Sequence, residues 1–408
     1  MADPLGSVVA RALGLRVEVL SDPTGRGFGG LAGLALRENP LRAHLVVSRV
    51  LAKHIAAPAA TVVGAARDLA ALVAAALRAG PPPLVLGFAE TATGLGLAVA
   101  DALGAAVAGH STRRPGPALL GFREEHSHAA DQTLQLPRAA FDDPAPLVLV
   151  DDELTTGATA LNVVAALHGI APRDSYVIAT LLDLRPEGAR AAFAERAGRL
   201  GVRVEVVALL DGVLRLPDDV LARAALARAV LARAVLARQA LAAPAVAPPA
   251  PVAAVVGHPG GLAGPASARL GLDPAARAAM AAGAGDLARA LPLSGPATLV
   301  LGTEELMAPA VLLAVALGPG AVVQSTTRSP VLALDLDGYA VRRVLTAPAP
   351  DDPTRATRVH NLGDPLCPGG SPAYDDVVLL VDTPVAAALP LAEVLRGEAR
   401  GAVRVVTP

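Results

Sequence analysis

The sequence has little of several features that would assign it directly to a class of protein. Its 408 residues include a single Cys and no Trp, and aromatic residues make up 2% of the chain. The lone thiol, Cys367, excludes intramolecular disulfides and zinc clusters built on several thiolates. The formal net charge is −2, without the basic stripe of a nucleic-acid-binding protein. We therefore expect no nucleic-acid partner.

Long unbroken hydrophobic runs are also missing, although 53% of the residues are hydrophobic and the mean hydropathy is +0.49. The longest stretch without a charged residue, between Arg238 and Arg269, is interrupted by six prolines. A membrane-spanning helix needs about 20 largely unbroken apolar residues. The first residues carry Asp3 and Arg11 and lack the pattern of a signal peptide. We expect a soluble cytoplasmic protein with no membrane partner.

Short β-branched runs alternate with Ala- and Leu-rich segments in the first half of the chain. Such alternation with short connections predicts a parallel sheet flanked by helices. The predicted strands are residues 16–20, 84–86, 147–150, 176–180 and 203–208. The predicted helices are residues 41–53, 62–78, 94–103, 159–167 and 188–197.

The pattern changes at Pro217. Leu and Arg each recur every five residues from there to Leu241, an advance of about 140° per repeat on an α-helix. This spacing cannot form one apolar stripe, so it predicts a low-complexity helix rather than a coiled coil. The Pro-rich residues 243–254 follow and are typical of a linker.

The second half repeats the pattern of the first. Its predicted strands are residues 298–301, 321–324, 339–344 and 377–381. LVLGFAETATG, HSTRRP and PLVLVDD in the first half match LVLGTEELMAP, QSTTRSP and VVLLVDT in the second, in the same order, at offsets of 215, 214 and 231 residues. Three ordered matches favour a duplicated α/β unit. We therefore divide the chain into residues 1–216, a connector at 217–256, and residues 257–408.

The strongest local motif is LVLVDDELTTGATALN at residues 147–162, an apolar strand followed by two acids and a Thr-rich turn into a helix. Ligands bind at the carboxyl ends of strands in such sheets, and the backbone N–H groups of the turn and helix form an anion cradle. Gly157 permits a phosphate to approach closely. Adjacent carboxylates would repel a phosphate, so they suit a ribose diol or a metal. The motif indicates a sugar-phosphate site, against the simpler interpretation of ordinary helix caps.

The run Val-Asp-Asp-x-x-Thr-Thr-Gly-x-Thr resembles the phosphoribosyl-pyrophosphate signature of type I phosphoribosyltransferases. Residues 38–55, 87–96, 110–114, 124–129 and 325–330 resemble a bacterial group close to orotate phosphoribosyltransferases. That group carries a C-terminal TRSP domain and is found with tellurite-resistance gene clusters. The resemblance covers nearly the whole chain apart from the segment after Pro217. It implies a parallel-sheet type I phosphoribosyltransferase fold followed by a degenerate, related α/β domain.

The same resemblance implies roles for the polar clusters. Asp151 and Asp152 would hold the ribose hydroxyls. The 5′-phosphate would be bound by the turn formed by Thr155, Thr156, Gly157, Ala158 and Thr159. The pyrophosphate would be bound by Ala89, Glu90, Thr91, Ala92, Arg113 and Arg114. A closing loop would supply the proton acceptor from among Glu124, Glu125, His126 and His128. Lys53 and His54 would lie in the hood around the acceptor.

Each cluster also has a simpler interpretation. Residues 87–96 could form an ordinary strand-to-helix turn, and residues 124–128 a solvated charge run or a metal site. Lys53 and His54 are typical of a helix end. Cys367 has no nearby His and is interpreted as inert.

The C-terminal copy departs from the motif because Asp382 is followed by Thr-Pro-Val-Ala-Ala-Ala. The second acid and the phosphate-binding threonines are therefore absent by sequence alignment. Polar residues remain at the matching strand ends, and the candidates there are Glu304, Glu305, Thr326 and Arg328. This half is either a separate site for the acceptor or a product, or a structural cover.

The resemblance implies transfer of ribose 5-phosphate from phosphoribosyl pyrophosphate to a nitrogenous acceptor, with Mg²⁺ as cofactor and pyrophosphate released. Cations stabilise the charge on the leaving group, and a closing loop excludes water. The alternatives are a non-catalytic regulator that binds phosphoribosyl pyrophosphate and an assembly protein in a stress-response complex. A homo-oligomer is compatible with the sequence.

Overall fold

Two six-stranded sheets organise the protein: the first is built from the first half of the chain, and the second from the second half with one short strand of the first. The computed structural model describes residues 7–77, 79–122, 132–239, 249–255, 268–363 and 373–407. Three short 3₁₀ helices accompany the main elements, at Arg138–Phe141, Ala268–Leu270 and Arg396–Glu398.

The elements of the first half run as far as the connector. Its strands are β1 Arg16–Ser21, β2 Ala32–Leu36, β3 His44–Ser48, β4 Ala57–Pro58, β5 Leu84–Gly87, β6 Val107–His110, β7 Leu120–Phe122, β8 Gln132–Leu134, β9 Leu147–Leu154, β10 Ser175–Asp183 and β11 Arg203–Arg215. Its helices are α1 Val8–Leu13, α2 Gly27–Leu31, α3 Ala59–Ala76, α4 Thr93–Leu103, α5 Ala158–Ile170 and α6 Glu187–Arg199, and α7 Val220–Gln239 follows in the connector.

The first sheet has the order β1-β11-β10-β9-β5-β6, and every neighbouring pair is parallel except β1 with β11. Its central strands are apolar because helices cover both faces of a parallel sheet. The first four residues of β9, for example, are completely buried. The carboxyl ends of β5, β6 and β9 therefore meet at one edge, where the polar loops follow.

The second half contains seven strands and three α-helices among the described residues. Its strands are β12 Val252–Val255, β13 Thr298–Gly302, β14 Ala321–Ser325, β15 Val344–Ala349, β16 Asp352–His360, β17 Tyr374–Leu380 and β18 Ala399–Val406. Its helices are α8 Pro274–Ala290, α9 Met307–Leu317 and α10 Val385–Leu395. A 3₁₀ helix leads into α8, whose first turn is capped by the Asp273 carboxylate on the Ala276 N–H.

The second sheet repeats the topology of the first. Its order is β12-β18-β17-β13-β14-β4, so β18-β17-β13-β14 corresponds to β10-β9-β5-β6. In both halves an antiparallel hairpin, β7–β8 or β15–β16, lies between the equivalent strands of the chain. This agreement confirms the prediction of two related α/β units with mostly parallel sheets.

The two halves share a hydrophobic core. One continuous cluster of buried residues includes side chains from both, and β4 of the first half pairs with β14 of the second. The Tyr339 hydroxyl accepts a hydrogen bond from the Leu36 N–H at 2.8 Å and donates one to the Leu332 carbonyl at 2.7 Å. The second half is therefore packed directly on the β2–β3 hairpin of the first.

Most predicted strands and helices are confirmed, but two assignments are wrong. The predicted helix at 41–53 contains β3 instead, because its β-branched residues pair with β2, a long-range contact that outweighs local composition. Residues 339–343 are irregular, and the strand begins at Val344. The predicted linker also ends early, since Val252–Val255 pairs with β18 as a strand of the second sheet.

One described helix, α3, is long and apolar enough to cross a membrane by length and composition alone. In the structure its buried face includes Val62, Leu69 and Val73, and it packs against α4, β10 and β11. It is thus a helix of the hydrophobic core.

Candidate functional site

The turn after β9 forms an anion cradle. Gly157 caps α5 with φ +76°, a left-handed conformation that glycine adopts without cost, and a Cβ there would overlap the Phe193 ring. The Thr156 hydroxyl accepts a hydrogen bond from the Ala158 N–H at 3.2 Å. The turn thus brings the N-terminus of α5 close to Thr155, Thr156 and Thr159, an arrangement that can bind an anion.

Asp151 and Asp152 lie in the second half of β9, with Glu153 and Leu154 between them and this turn, and both are half-buried. The Asp152 N–H donates to the Asp151 carboxylate at 2.9 Å. Both residues line an open cavity of about 280 Å³, together with Thr155, Thr156 and Thr159. The structure therefore brings the two predicted acids and the predicted phosphate turn into one cavity.

The loop after β5 forms the opposite wall of the cavity. Its Ala89–Glu90 peptide bond is cis, and the Ala89 N–H donates to the Ser111 hydroxyl at 2.8 Å. Glu90 is buried and lies between two guanidinium groups, Arg113 at 3.7 Å and Arg328 at 3.0 Å. The loop therefore presents a charge-balanced surface rather than an isolated carboxylate.

Lys53, one of the two residues predicted for the hood around the acceptor, contacts the loop after β5. Its ammonium group donates to the Thr91 hydroxyl at 2.7 Å. Lys53 and His54 both line the cavity, as predicted for the hood. His54 is buried beside the His360 ring, 5.1 Å away, and burial lowers the pKa of His54 well below its usual value. His54 is therefore neutral, and Lys53 is the cation of this pair.

Glu153 is the carboxylate that sequence reasoning left without a role. Its Oε2 atom is buried with no hydrogen-bond partner, and it lies where this cavity joins a second one of about 580 Å³. Burial and the neighbouring Asp152 raise the pKa of Glu153 to about 7, against the opposing effect of Arg37 and Arg42. The group can exchange a proton near neutral pH.

The second cavity is more apolar than the first. It is lined by Leu184, Leu214 and Leu216, together with Arg37 and Arg42. It is adjacent to the first cavity, since both are lined by Arg37, Arg42, Val46, Glu153 and Thr155.

Several other residues that line the first cavity were not predicted from the sequence. Gln132 lies on β8 and donates to the Ala89 carbonyl at 3.0 Å, while Thr327, Ser329 and Pro330 come from the second half. Arg42 and Glu153 belong to segments that carry the family resemblance, so those segments could have identified them as candidate site residues. Nothing local marked Gln132, because its position depends on the β7–β8 hairpin.

Some predicted residues lie elsewhere. Ala92 is buried behind the loop, where its N–H bonds to the Phe88 carbonyl. Arg114 does not line the cavity, and its guanidinium contacts Asp382 of the second half at 2.9 Å. Glu124, Glu125, His126 and His128, the predicted proton acceptors, lie outside the described residues, as does Cys367.

The second-half candidates form part of the contact between the halves. Glu304 pairs with Arg328 at 2.8 Å and with Arg355 at 2.5 Å. Burial and the charge of Glu90 raise the pKa of Glu304 above its ordinary value. The Thr326 hydroxyl accepts a hydrogen bond from the Glu304 N–H at 3.1 Å. Of this group only Arg328 reaches the first cavity.

The sheet register corrects the sequence alignment of the acids. Gly87 pairs with Val150 in the first sheet, and the equivalent Gly302 pairs with Leu380 in the second. Asp382 is therefore the structural counterpart of Asp152, and Val381 replaces Asp151. The copy has lost the first acid of the pair rather than the second.

Magnesium was expected from the resemblance. Among the residues that the structure describes, no group of three or more His, Cys, Asp and Glu side chains could hold a metal ion. These residues do not build a cage for Mg²⁺, which proteins commonly bind through substrate phosphates. No step below is derived through a metal.

Comparison with known proteins finds a matching domain family for each half of the chain. Residues 31–213 match the family model PRTase_2, described as a phosphoribosyl transferase. Residues 266–395 match the TRSP domain, described as C-terminal to PRTase_2. No curated protein matches the chain.

Solved structures similar to the chain include three phosphoribosyltransferases. Adenine phosphoribosyltransferase from Rhodothermus marinus is 19% identical, with 35% of this chain and 77% of that chain covered and a TM-score of 0.26. The Trypanosoma brucei adenine enzyme is 16% identical over 47% and 82%, with a TM-score of 0.32. The Staphylococcus aureus hypoxanthine enzyme is 15% identical over 33% and 69%, with a TM-score of 0.24.

Proposed function

The chain belongs to the phosphoribosyl transferases that carry a C-terminal TRSP domain, and on this premise we propose that it transfers ribose 5-phosphate from phosphoribosyl pyrophosphate to a nitrogenous acceptor, releasing pyrophosphate. The observation that supports this most is one cavity whose lining includes Asp151 and Asp152, all residues of the predicted phosphate turn except Ala158, and the charged residues Glu90, Arg113 and Arg328. A sugar between two phosphate groups needs these three kinds of contact.

The two walls of the cavity have complementary tasks in this proposal. The turn and the N-terminus of α5 bind the 5′-phosphate, and Asp151 and Asp152 accept hydrogen bonds from the ribose hydroxyls. Arg113 and Arg328 neutralise the diphosphate as its bond to the sugar breaks. The sugar is thereby held at both ends while C1 faces the hood.

The acceptor is proposed to enter from the hood side, where the second cavity opens. Glu153 is the described group best placed to take a proton from its nitrogen, because it lies at the junction of the cavities with a free carboxylate oxygen. The 124–128 segment remains a second proposed source of the base. The apolar leucines of the second cavity would exclude water from the acceptor.

Mg²⁺ is proposed to enter with the diphosphate, where it would offset negative charge on the leaving group. A cytoplasmic location and a homo-oligomer belong to the proposal as expectations from the sequence, and a link to tellurite resistance belongs to it through resemblance alone.

Calorimetry with phosphoribosyl pyrophosphate and Mg²⁺, followed by pyrophosphate release across a panel of bases and small amines, tests the proposal. We expect binding, and release that depends on one class of acceptor. Binding without release from any acceptor would favour the regulatory alternative. No binding would contradict both functions.

A further inference from the structure

The loops at the strand ends of the two halves make the same hydrogen bonds at positions 215 residues apart. In the first half the Ala89 N–H donates to the Ser111 hydroxyl at 2.8 Å, and in the second the Glu304 N–H donates to the Thr326 hydroxyl at 3.1 Å. The N–H groups of Ser111 and Thr326 in turn donate to the last carbonyl of β5 and of β13, at 3.0 and 2.9 Å. These hydrogen bonds are therefore common to the loops of both halves.

These loops also bind to each other across the contact between the halves. Glu305 of the second half accepts a hydrogen bond from the Thr112 hydroxyl at 2.7 Å and one from the Arg113 N–H at 3.0 Å. Both donors belong to the first half. A buried glutamate of one unit thus holds the Thr-Arg pair of the other.

The reciprocal contact exists at the equivalent positions. Glu90 of the first half accepts a hydrogen bond from the Thr327 hydroxyl at 3.2 Å and one from the Arg328 N–H at 3.4 Å. The Arg328 guanidinium extends beyond these bonds to the Glu90 carboxylate, while Glu304 holds its other side at 2.8 Å. The two halves therefore face each other as two related subunits would, within one chain.

One pair of equivalent positions breaks this symmetry. The N–H groups of Arg114 and Ser329 donate in the same way, to the hydroxyls of Thr112 and Thr327 at 3.0 and 3.1 Å. Their side chains differ in length and charge. Arg114 crosses to Asp382 at 2.9 Å, and both of these side chains are nearly buried. A guanidinium therefore occupies the strand end of the second half.

Ser329 has the same position relative to the first half as Arg114 has relative to the second half. It lines the cavity that contains Asp152, the structural counterpart of Asp382. An arginine here would have the same reach as Arg114, and its charge would be attracted to the acidic pair. The short serine side chain leaves that space open.

We propose that the second half is an internal partner that completes the first half's site: Arg328 forms its diphosphate wall, and the small Ser329 keeps it open, while Arg114 of the first half closes the equivalent site of the second. This inference rests on the proposed function, since the ligand of the open site is phosphoribosyl pyrophosphate. It assigns the second half a binding role toward the first site rather than a site of its own.

The experiment compares Ser329→Arg with Ser329→Ala in the full chain, using calorimetry with phosphoribosyl pyrophosphate and Mg²⁺. We expect Ser329→Arg to weaken binding at least about tenfold, because the new guanidinium pairs with the carboxylate meant for the ribose. Ser329→Ala keeps the cavity open and is expected to bind within about twofold of the wild type. Thermal unfolding of both variants checks that the fold is retained.

A third variant covers the case in which Ser329→Arg does not fold. Ser329→Gln is shorter and uncharged, and it is expected to weaken binding by about threefold through bulk alone. Wild-type affinity in a folded Ser329→Arg variant, or in Ser329→Gln if arginine is not tolerated, would overturn the inference and leave the proposed function standing. Absence of binding by the wild type itself would contradict the proposed function, and the inference with it.

Discussion

The strand-end sites of the two halves share a scaffold and differ in what that scaffold presents. The first has two acids, a glycine-capped helix and three threonines around an open cavity. The second has Asp382, a proline before α10 and an arginine ion-paired to its acid. The retained hydrogen bonds include those that hold the halves together. The comparison indicates that the contact between the halves constrains the copy more than ligand binding does.

Replacing Asp151 and Asp152 by asparagine is expected to have the largest effect. Both carboxylates accept hydrogen bonds from the ribose in our account, and amides of the same size cannot provide charge-assisted acceptance at both positions. We expect a loss of affinity for phosphoribosyl pyrophosphate on the order of a hundredfold, measured by calorimetry, with unchanged thermal unfolding.

The matched control is the exposed adjacent pair Asp142 and Asp143, also changed to asparagine. An exposed ion pair such as Asp142 with Arg138 contributes little to stability, so this variant should bind as the wild type does. Wild-type affinity in the Asp151→Asn, Asp152→Asn variant would rule out the ribose assignment.

Glu153→Gln tests the group that has no carboxylate counterpart in the second half. Because the pKa of Glu153 is raised to about 7, its base form accumulates as the pH rises through neutrality. We expect wild-type kcat to rise between about pH 6 and 8, and the variant to be on the order of a hundredfold slower with a flattened profile. Steady-state rates over that pH range provide the measurement.

Glu195→Gln, on the exposed face of α6, serves as the control for this change. An unaltered pH profile in Glu153→Gln would transfer the role of base to the 124–128 segment. Because the pKa of Glu153 is raised from 4.5 to about 7, the folded chain binds more protons than the unfolded chain between these pH values, so the contribution of Glu153 to stability falls as the pH rises through that range.

Arg328→Gln removes a cation that the second half contributes to the lining of the first cavity. Because Glu90 and Glu304 both lose a partner, we expect a loss of stability of about 1–3 kcal/mol. The KM for phosphoribosyl pyrophosphate should also rise by roughly tenfold, since one cation of the diphosphate wall is gone.

Arg355→Gln separates these two effects, because Arg355 pairs with Glu304 and does not line the cavity. It should lower the free energy of unfolding and leave KM unchanged. If the two variants raise KM equally, Arg328 has only the structural role.

Asp382→Asn is expected to have the smallest effect. The change leaves Arg114 nearly buried with a weaker partner, which should cost about 1 kcal/mol in a denaturant titration. Affinity for phosphoribosyl pyrophosphate should not change, because Asp382 belongs to the closed site. A change in affinity would show that the two sites are not independent.

Much of this comparison could be predicted from the sequence. The strands of both sheets are marked by apolar runs, and the Asp151–Thr159 motif is contiguous, so one local segment carries most of the sugar-phosphate site. The β2–β3 hairpin could not be predicted in this way. Its strand at His44–Ser48 is set by pairing with Ala32–Leu36 and by packing on the second half, neither of which has a local signature.

The same limit applies to the site. Glu153 stood inside the motif, but its free carboxylate oxygen depends on the fold around it. Arg113 and Arg114 are neighbours in the sequence, yet one faces Glu90 and the other crosses to Asp382. Only the arrangement of the two halves distinguishes them. The sequence matches at an offset of 215 residues predicted the duplication, but they did not predict the reciprocal contacts between the two copies.

The stoichiometry of phosphoribosyl pyrophosphate binding, measured by calorimetry with Mg²⁺ on the full chain, tests the central claim most directly. An open first site and a closed second site require one ligand per chain, with an affinity lowered on the order of a hundredfold in the Asp151→Asn, Asp152→Asn variant. Two ligands per chain, or one bound with wild-type affinity in that variant, would contradict the account.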